Sequence, residues 1–153
     1  MKKFVLPVAI AVSIFASLSF QNDILCNAKA LKEKGRFLLD PYKYDSSELT
    51  KIIYKDKESL KEIEVPLFIG EKYCFVFEME ALPKPVEVRI YNKDKGNKNR
   101  KLLFTSKDMG DKTEFRFETS GLLRTAYVEY IIPPAETGVQ TGCSLFMLGY
   151  KIR

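Results

Sequence analysis

Residues 72–79, with the sequence KYCFVFEM, decide the fold class. Large apolar side chains occupy every second position of this segment, and a period of two is typical of a half-buried β-strand. The alternating positions are Tyr73, Phe75, Phe77 and Met79. The same alternation occurs before and after this segment, at Ile63, Val65, Leu67 and Ile69, at Val86, Val88 and Ile90, at Phe115 and Phe117, and at Ala126, Val128 and Tyr130. The chain is therefore predicted to be mainly β.

Turn-forming residues separate these segments. They are Gly70-Glu71, Pro83-Lys84-Pro85, residues 94–97, Gly110-Asp111, Ser120-Gly121 and Pro133-Pro134. Further strands are predicted at 50–54, 101–105 and 143–150, which gives about eight strands at the spacing of a sandwich or barrel. Because no helical pattern lies between them, the sheets should be antiparallel. We expect a single jelly-roll-like β-sandwich domain over residues 20–153, with its last strand in a central, covered position.

One helix is predicted ahead of the strands, at about residues 24–38. Its apolar positions fall on one helical face, at Ile24, Ala28, Leu31, Gly35 and Leu38. Asn22 or Asp23 is suited to cap its start, and Asp40-Pro41 should end it. We expect this helix to pack across the sheet, and its basic flank leaves a helix that binds a partner or a membrane surface as the alternative. Residues 41–47 indicate a turn-rich connector.

Residues 1–19 have the features of a secretory signal peptide. Lys2 and Lys3 precede an uncharged apolar run, and Ser17 and Ser19 suit the −3 and −1 positions of a cleavage site after Ser19. Pro7 interrupts the run, which argues against an uncleaved membrane anchor. The mature protein is therefore predicted to be periplasmic or secreted, with membrane contact only through the signal peptide before cleavage.

The three cysteines then lie in an oxidising compartment, where a disulfide is expected. Asp23 and Leu25 do not suit the −3 and −1 positions of a lipidation motif at Cys26, so that cysteine should not be lipidated. Three cysteines allow one bridge and leave one thiol over. We expect a Cys26–Cys143 disulfide and a free Cys74 that packs as a small apolar side chain. A Cys74–Cys143 bridge, an intermolecular bridge or no bridge are the alternatives.

The sequence predicts no catalytic residue, metal site or cofactor. It contains no histidine, which removes the usual serine and cysteine triads and the commonest zinc ligand, and it has no phosphate-binding or metal-binding motif. Glu62 and Glu64 share one strand face, as do Glu78 and Glu80, at a spacing that a glycosidase could use. We interpret all four as solvent-exposed. Cleavage would remove Lys2 and Lys3 and lower the net charge from +5 to +3, which is too small to indicate a polyanionic partner, and an exported protein seldom meets nucleic acid.

Two sets of side chains are candidates for binding. The first is a basic loop that could attract anionic lipid headgroups or acidic glycans, or simply be solvated: Lys93, Lys95, Lys98, Arg100 and Lys101. The second consists of tyrosines that could stack on sugars: Tyr42, Tyr44, Tyr91 and Tyr127.

Three segments carry a family resemblance. Residues 68–77 are similar to the G-E-x-Y-x-F-x-F strand that opens many secreted bacterial β-sandwich modules. Residues 86–92 and 142–150 resemble their second and closing strands. The chain resembles a small family of exported bacterial proteins of unknown function and, more loosely, pre-peptidase C-terminal domains. The resemblance implies a jelly-roll-like sandwich and transfers no catalytic residue; the N-terminal helix and Cys26 depart from it.

These observations favour a non-enzymatic, secreted or periplasmic binding protein. Its partner would be an envelope or extracellular protein or glycan, contacted through the loops at residues 92–100 and 133–141. A carbohydrate-binding module that uses the tyrosines is one alternative. A carboxylate-based hydrolase is another, and it would need a concave cleft with two converging acids.

Overall fold

The computed structural model describes residues 26–152 of the chain. The predicted signal peptide and residues 22–25 of the predicted helix region lie outside them. The described part contains one α-helix, eight strands and a short 3₁₀ helix (Ser106–Met109). The longer elements are α1 (Ala28–Leu39), β1 (Lys43–Tyr54), β2 (Ser59–Pro66), β3 (Lys72–Glu78), β4 (Glu87–Tyr91), β5 (Leu102–Thr105), β6 (Glu114–Glu118), β7 (Thr125–Ile132) and β8 (Gln140–Lys151).

The strands form two four-stranded antiparallel sheets. Sheet 1 has the order β1-β8-β3-β6 and sheet 2 has the order β2-β7-β4-β5. Successive strands cross between the two sheets except at the β4–β5 hairpin, which is the strand order of a jelly roll. The predicted antiparallel β-sandwich with one N-terminal helix is therefore confirmed.

The inner faces of the two sheets form an aromatic core. Phe77 of β3 lies with its ring centroid 5.4 Å from that of Phe146 on β8 and 5.3 Å from that of Phe115 on β6. Strand β8 is covered on both faces, because Phe146 faces this core while Leu145 and Met147 belong to a second cluster on the α1 side. Its central position agrees with its apolar character on both faces.

The prediction of a connector at residues 41–47 is wrong. Strand β1 begins at Lys43 and pairs with β8 from Lys43 to Tyr54, with a register shift between Tyr44 and Ser46. The residues that suggested turns are polar because they lie at the edge of sheet 1, where most side chains are exposed. Hydrogen bonding to β8 keeps them extended despite their weak strand propensity.

Helix α1 packs on the outer face of sheet 1, through Leu31, Gly35 and Leu39. It begins at Ala28 because the Asn27 side-chain oxygen accepts hydrogen bonds from the next turn, at 3.1 Å and 3.2 Å. The predicted start was therefore too early, and Ala28 is exposed rather than buried. None of the helices within residues 26–152 has the length and apolar character that crossing a membrane requires.

A disulfide joins Cys26 to Cys143, as predicted, across a sequence separation of 117 residues. It ties the residue before the α1 cap to the beginning of β8. Cys74 is a free, buried thiol under α1, and burial raises its pKa to about 11. The disulfide is compatible with an oxidising compartment.

Candidate functional site

The sandwich has two ends, and the predicted contact loops lie at opposite ones. The first end, which we call the loop end, is formed by residues 67–71, 92–101 and 119–124, which connect β2 to β3, β4 to β5 and β6 to β7. Residues 133–139 connect β7 to β8 at the opposite end, together with residues 55–58, 79–86 and 106–113. The loops at 92–100 and 133–141 therefore cannot form one continuous binding surface.

Backbone hydrogen bonds hold the loop end together. The N–H of Gly70 donates to the carbonyl of Gly121 at 3.1 Å, and the N–H of Leu67 donates to the carbonyl of Arg124 at 2.8 Å. Residues 68–71 form a turn in which Gly70 has a φ of +96°, a conformation that glycine adopts readily at the third position of such a turn. These bonds fix residues 68 and 69 at the tip of the turn.

Large apolar side chains are exposed on these tips. Phe68 and Leu122 are each 77% exposed, and Ile69 is 53% exposed. The sequence predicted that Ile69 would continue the buried stripe of β2, but the strand ends at Pro66 and Ile69 lies in the turn. Beside Leu122, a groove of about 620 Å³ runs between residues 92–101 and 119–124, with Leu103 among its apolar lining residues.

The loop end also carries an excess of positive charge. Its three segments contain two carboxylates, Glu71 and Asp94, and six cationic residues, which are Lys93, Lys95, Lys98, Arg100, Lys101 and Arg124. The segments of the opposite end have nearly balanced charge: Lys55, Lys57, Lys84, Lys107 and Lys112 against Asp56, Glu58, Glu80, Asp108, Asp111 and Glu136. Exposed apolar tips and cationic side chains thus coincide at one end of the protein.

Arg100 differs from the lysines of the predicted basic loop, because it folds back onto the outer face of sheet 2. Its Nη2 lies 2.7 Å from carboxylate oxygens of both Glu62 and Glu129, and its Nε donates to the carbonyl of Lys93 at 2.9 Å. The guanidinium carbon lies 3.6 Å from the centroid of the Tyr91 ring. Arg100 therefore braces the base of the loop, whereas Lys95, Lys98 and Lys101 are exposed.

The four candidate tyrosines lie on two different faces. Tyr91 and Tyr127 are register partners on sheet 2. Tyr42 lies on the α1 side of sheet 1, where its hydroxyl donates to Glu118 at 2.7 Å and burial raises its pKa to about 12. Tyr44 lies on that side too, with the Lys32 ammonium 4.8 Å from its ring centroid. The structure therefore does not bring the four rings together into one sugar-stacking platform.

The sequence predicted that Glu62, Glu64, Glu78 and Glu80 are all solvent-exposed, and this is wrong for Glu62 and Glu78. Glu78 is fully buried. Its Oε1 accepts a 3.4 Å hydrogen bond from the backbone N–H of Glu80, and its Oε2 has no partner among the described residues. Burial, followed by the charge of Glu114 directly across on β6, raises the pKa of Glu78 to about 7. Glu62 is partly buried against Arg100, and its pKa is raised chiefly by burial.

None of these four glutamates lines the cavity or the groove described at the two ends of the sandwich. A cavity of about 130 Å³ at the opposite end has one acidic lining residue, Asp111, where a glycosidase needs two carboxyl groups. Within residues 26–152, no group of three or more histidine, cysteine, aspartate or glutamate side chains is placed to hold a metal ion. What stands out in this part of the chain is therefore the surface of the loop end.

Comparison of the chain with protein-family models, with curated proteins and with solved structures gives no match in any of the three.

Proposed function

We propose that this protein is an exported, non-enzymatic binding domain that contacts an envelope or extracellular component through the loop end. The observation that carries the proposal is the exposure of Phe68, Ile69 and Leu122 beside a cationic loop, at one end of a rigid sandwich. Exposed apolar side chains grouped in this way are typical of interaction surfaces. The resemblance to small exported bacterial β-sandwich proteins agrees with this role and is part of the proposal.

The mechanism of such a protein is complementarity between surfaces rather than chemistry. The jelly roll supplies a rigid scaffold, and the hydrogen bonds between Gly70 and Gly121 and between Leu67 and Arg124 hold two of the loops in fixed relation. A preorganised surface loses little conformational entropy on binding, which favours affinity.

Export is supported by the signal-peptide features of residues 1–19 and by the Cys26–Cys143 disulfide. Amino-terminal sequencing of the protein isolated from the cells that make it should begin at or within a few residues of Phe20, and fractionation should recover it outside the cytoplasm. Recovery of intact protein that begins at Met1 from the cytoplasm would refute export.

Binding is tested with envelope fragments from the same cells, sedimented with purified mature protein. The double variant Phe68→Ser/Leu122→Ser removes two apolar tips, and Val139→Ser is the matched control because Val139 is 74% exposed at the opposite end. Wild type and control should sediment equally, and the double variant should bind at least ~10-fold more weakly, since two largely exposed apolar side chains no longer become buried. Equal binding of all three proteins would exclude the loop end, and absence of wild-type binding would refute the binding function.

A further inference from the structure

We propose that the component recognised by the loop end is an anionic lipid bilayer surface. This inference rests on the proposed function and specifies its partner. It departs from the expectation that the protein touches a membrane only through its signal peptide. Two independent features support it, which are the placement of the apolar side chains and the distribution of charge around them.

The apolar side chains lie at the tips of loops rather than in a flat patch. Phe68 and Ile69 occupy the first two positions of the turn at residues 68–71, and Leu122 follows Gly121, the hydrogen-bond acceptor of that turn. Side chains at such tips can enter the boundary between lipid headgroups and acyl chains without burying the polar backbone below them. Ile69 and Leu122 are aliphatic and have no ring to stack on a sugar, so these two exposed side chains favour a lipid over a glycan.

The cations lie at the same end of the sandwich as these tips, and Lys101 lines the same groove as Leu122. Lys95, Lys98 and Lys101 are exposed and form no ion pair with any residue of the described chain. The two carboxylates of the same segments are already hydrogen-bonded, Glu71 to the hydroxyl of Tyr73 at 2.8 Å and Asp94 to the N–H of Gly96 at 3.0 Å.

Arg100 makes this arrangement persistent. Its contacts with Glu62 and Glu129 tie the base of the cationic loop to the outer face of sheet 2. The lysines are thereby held at the same end of the sandwich as the apolar tips. Acyl chains would receive the protruding tips, and phosphate groups would face the lysines.

The opposite end of the sandwich differs from the loop end in its charge. It has an exposed apolar side chain, Val139, and exposed lysines, but its segments contain one more carboxylate than cations. A surface of balanced charge gains little from an anionic membrane, whereas each lysine held near such a surface strengthens binding about fivefold. The two ends of the protein are therefore expected to differ strongly in lipid affinity.

The experiment uses mature protein with its disulfide intact and two kinds of vesicle, one of phosphatidylcholine alone and one of equal parts phosphatidylglycerol and phosphatidylcholine. Wild type should sediment with the mixed vesicles at least ~10-fold more tightly than with the neutral ones, and added salt should weaken this binding. Binding that depends neither on the charge of the lipid nor on the salt concentration would overturn the proposal.

Paired variants identify the surface. Lys95→Glu/Lys98→Glu and, separately, Phe68→Ser/Leu122→Ser should each weaken binding to the mixed vesicles at least ~10-fold. Their controls at the opposite end, Lys55→Glu/Lys57→Glu and Val139→Ser, should bind like wild type. All of these side chains are exposed, and thermal unfolding verifies that each variant is folded. Equal losses in variants and controls would overturn the assignment to the loop end.

The lipid proposal and the proposed function fail in different ways. The wild-type protein could bind neither kind of vesicle and still sediment with envelope fragments. If Phe68→Ser/Leu122→Ser then abolishes the sedimentation with envelope fragments, the partner is a protein or a glycan. The lipid proposal is then overturned while the binding function stands. If wild type binds neither vesicles nor envelope fragments, both are refuted.

Discussion

Replacing Glu78 by glutamine should stabilise the protein at neutral and alkaline pH. Glu78 is buried with one carboxylate oxygen unpartnered among the described residues, and its pKa is raised from 4.5 to about 7 by burial and by Glu114. The folded protein therefore binds a proton between these two values that the unfolded chain has released. The contribution of Glu78 to the stability of the fold is therefore most favourable below about pH 4.5, and it falls as the pH rises towards 7. The rise in the pKa of Glu78 corresponds to a loss of ~3 kcal/mol in the free energy of unfolding once the pH is above 7.

Glutamine keeps the shape of the side chain and a carbonyl acceptor for the N–H of Glu80, but it carries no charge. Denaturant unfolding of wild type and Glu78→Gln across the pH range measures the effect. The variant should be more stable by up to ~3 kcal/mol near pH 8, and the difference should shrink towards zero near pH 4. Glu64→Gln, an exposed glutamate on sheet 2, is the control and should leave the pH dependence unchanged.

A second substitution separates the two causes of the raised pKa. Glu114→Gln removes the neighbouring charge and should recover part of the stability near pH 8, while burial of Glu78 remains. The reasoning is refuted if wild type and Glu78→Gln have parallel stability profiles, or if the variant is the less stable protein near pH 8.

Three further substitutions test the packing. Cys143→Ser opens the bridge to Cys26, which spans 117 residues, and should lower the free energy of unfolding by ~4–5 kcal/mol in denaturant titrations; reducing the wild type should have a similar effect. Arg100→Met should lower the free energy of unfolding by about 3 kcal/mol in the same assay. The reason is that the carboxylate of Glu129, which is 3% exposed, would remain buried without its ion-pair partner. Arg100→Lys should recover part of this loss. Gly142→Ala should lower the free energy of unfolding by ~1–3 kcal/mol and the melting temperature by several degrees. The Cβ of the new alanine would lie 2.6 Å from a backbone carbonyl oxygen, which is too close.

Each of these expectations has an opposing result. Wild-type stability of Cys143→Ser in the absence of reductant would show that the bridge contributes nothing. An Arg100→Met protein as stable as wild type would show that Glu129 tolerates burial unpaired. An unchanged melting temperature for Gly142→Ala would show that the neighbouring loop moves aside at no cost.

The strands were predictable because burial on one face imposes a period of two, and this period is visible around Tyr73, Phe75 and Phe77. Residues 43–47 were not, since their extended form depends on hydrogen bonds to β8, whose paired residues lie 100 to 107 positions away in the sequence. The start of α1 was misplaced because Asn22 and Asp23 were also plausible caps in the sequence, whereas Asn27 is the residue that caps the helix.

The burial of Glu78 carried a signal that the prediction missed. Cys74 and Val76 share its face and are apolar, so β3 is apolar on both faces over most of its length, as β8 is. A strand of this kind is covered on both sides, and a glutamate within it should have been expected to be buried.

The loop end was only partly predictable. The basic composition of residues 92–101 is visible in the sequence, but Arg100 and Lys98 look alike there, and only the fold shows that Arg100 reaches two carboxylates from other strands. Phe68 and Ile69 follow a strand and continue its apolar character. Gly70 was the one indication that they belong to a turn.

The Cys26–Cys143 bridge determines how the protein can be attached to a support. It fastens the beginning of α1 beside residue 81, at the end remote from the loop end, whereas Ile152 lies near Lys72 and Glu118, which directly adjoin the loop end. A tag or tether placed before Cys26 therefore presents the loop end outward to the solution. The same tether placed after Ile152 would crowd that surface, so the amino-terminal side is the one to use for immobilised binding assays.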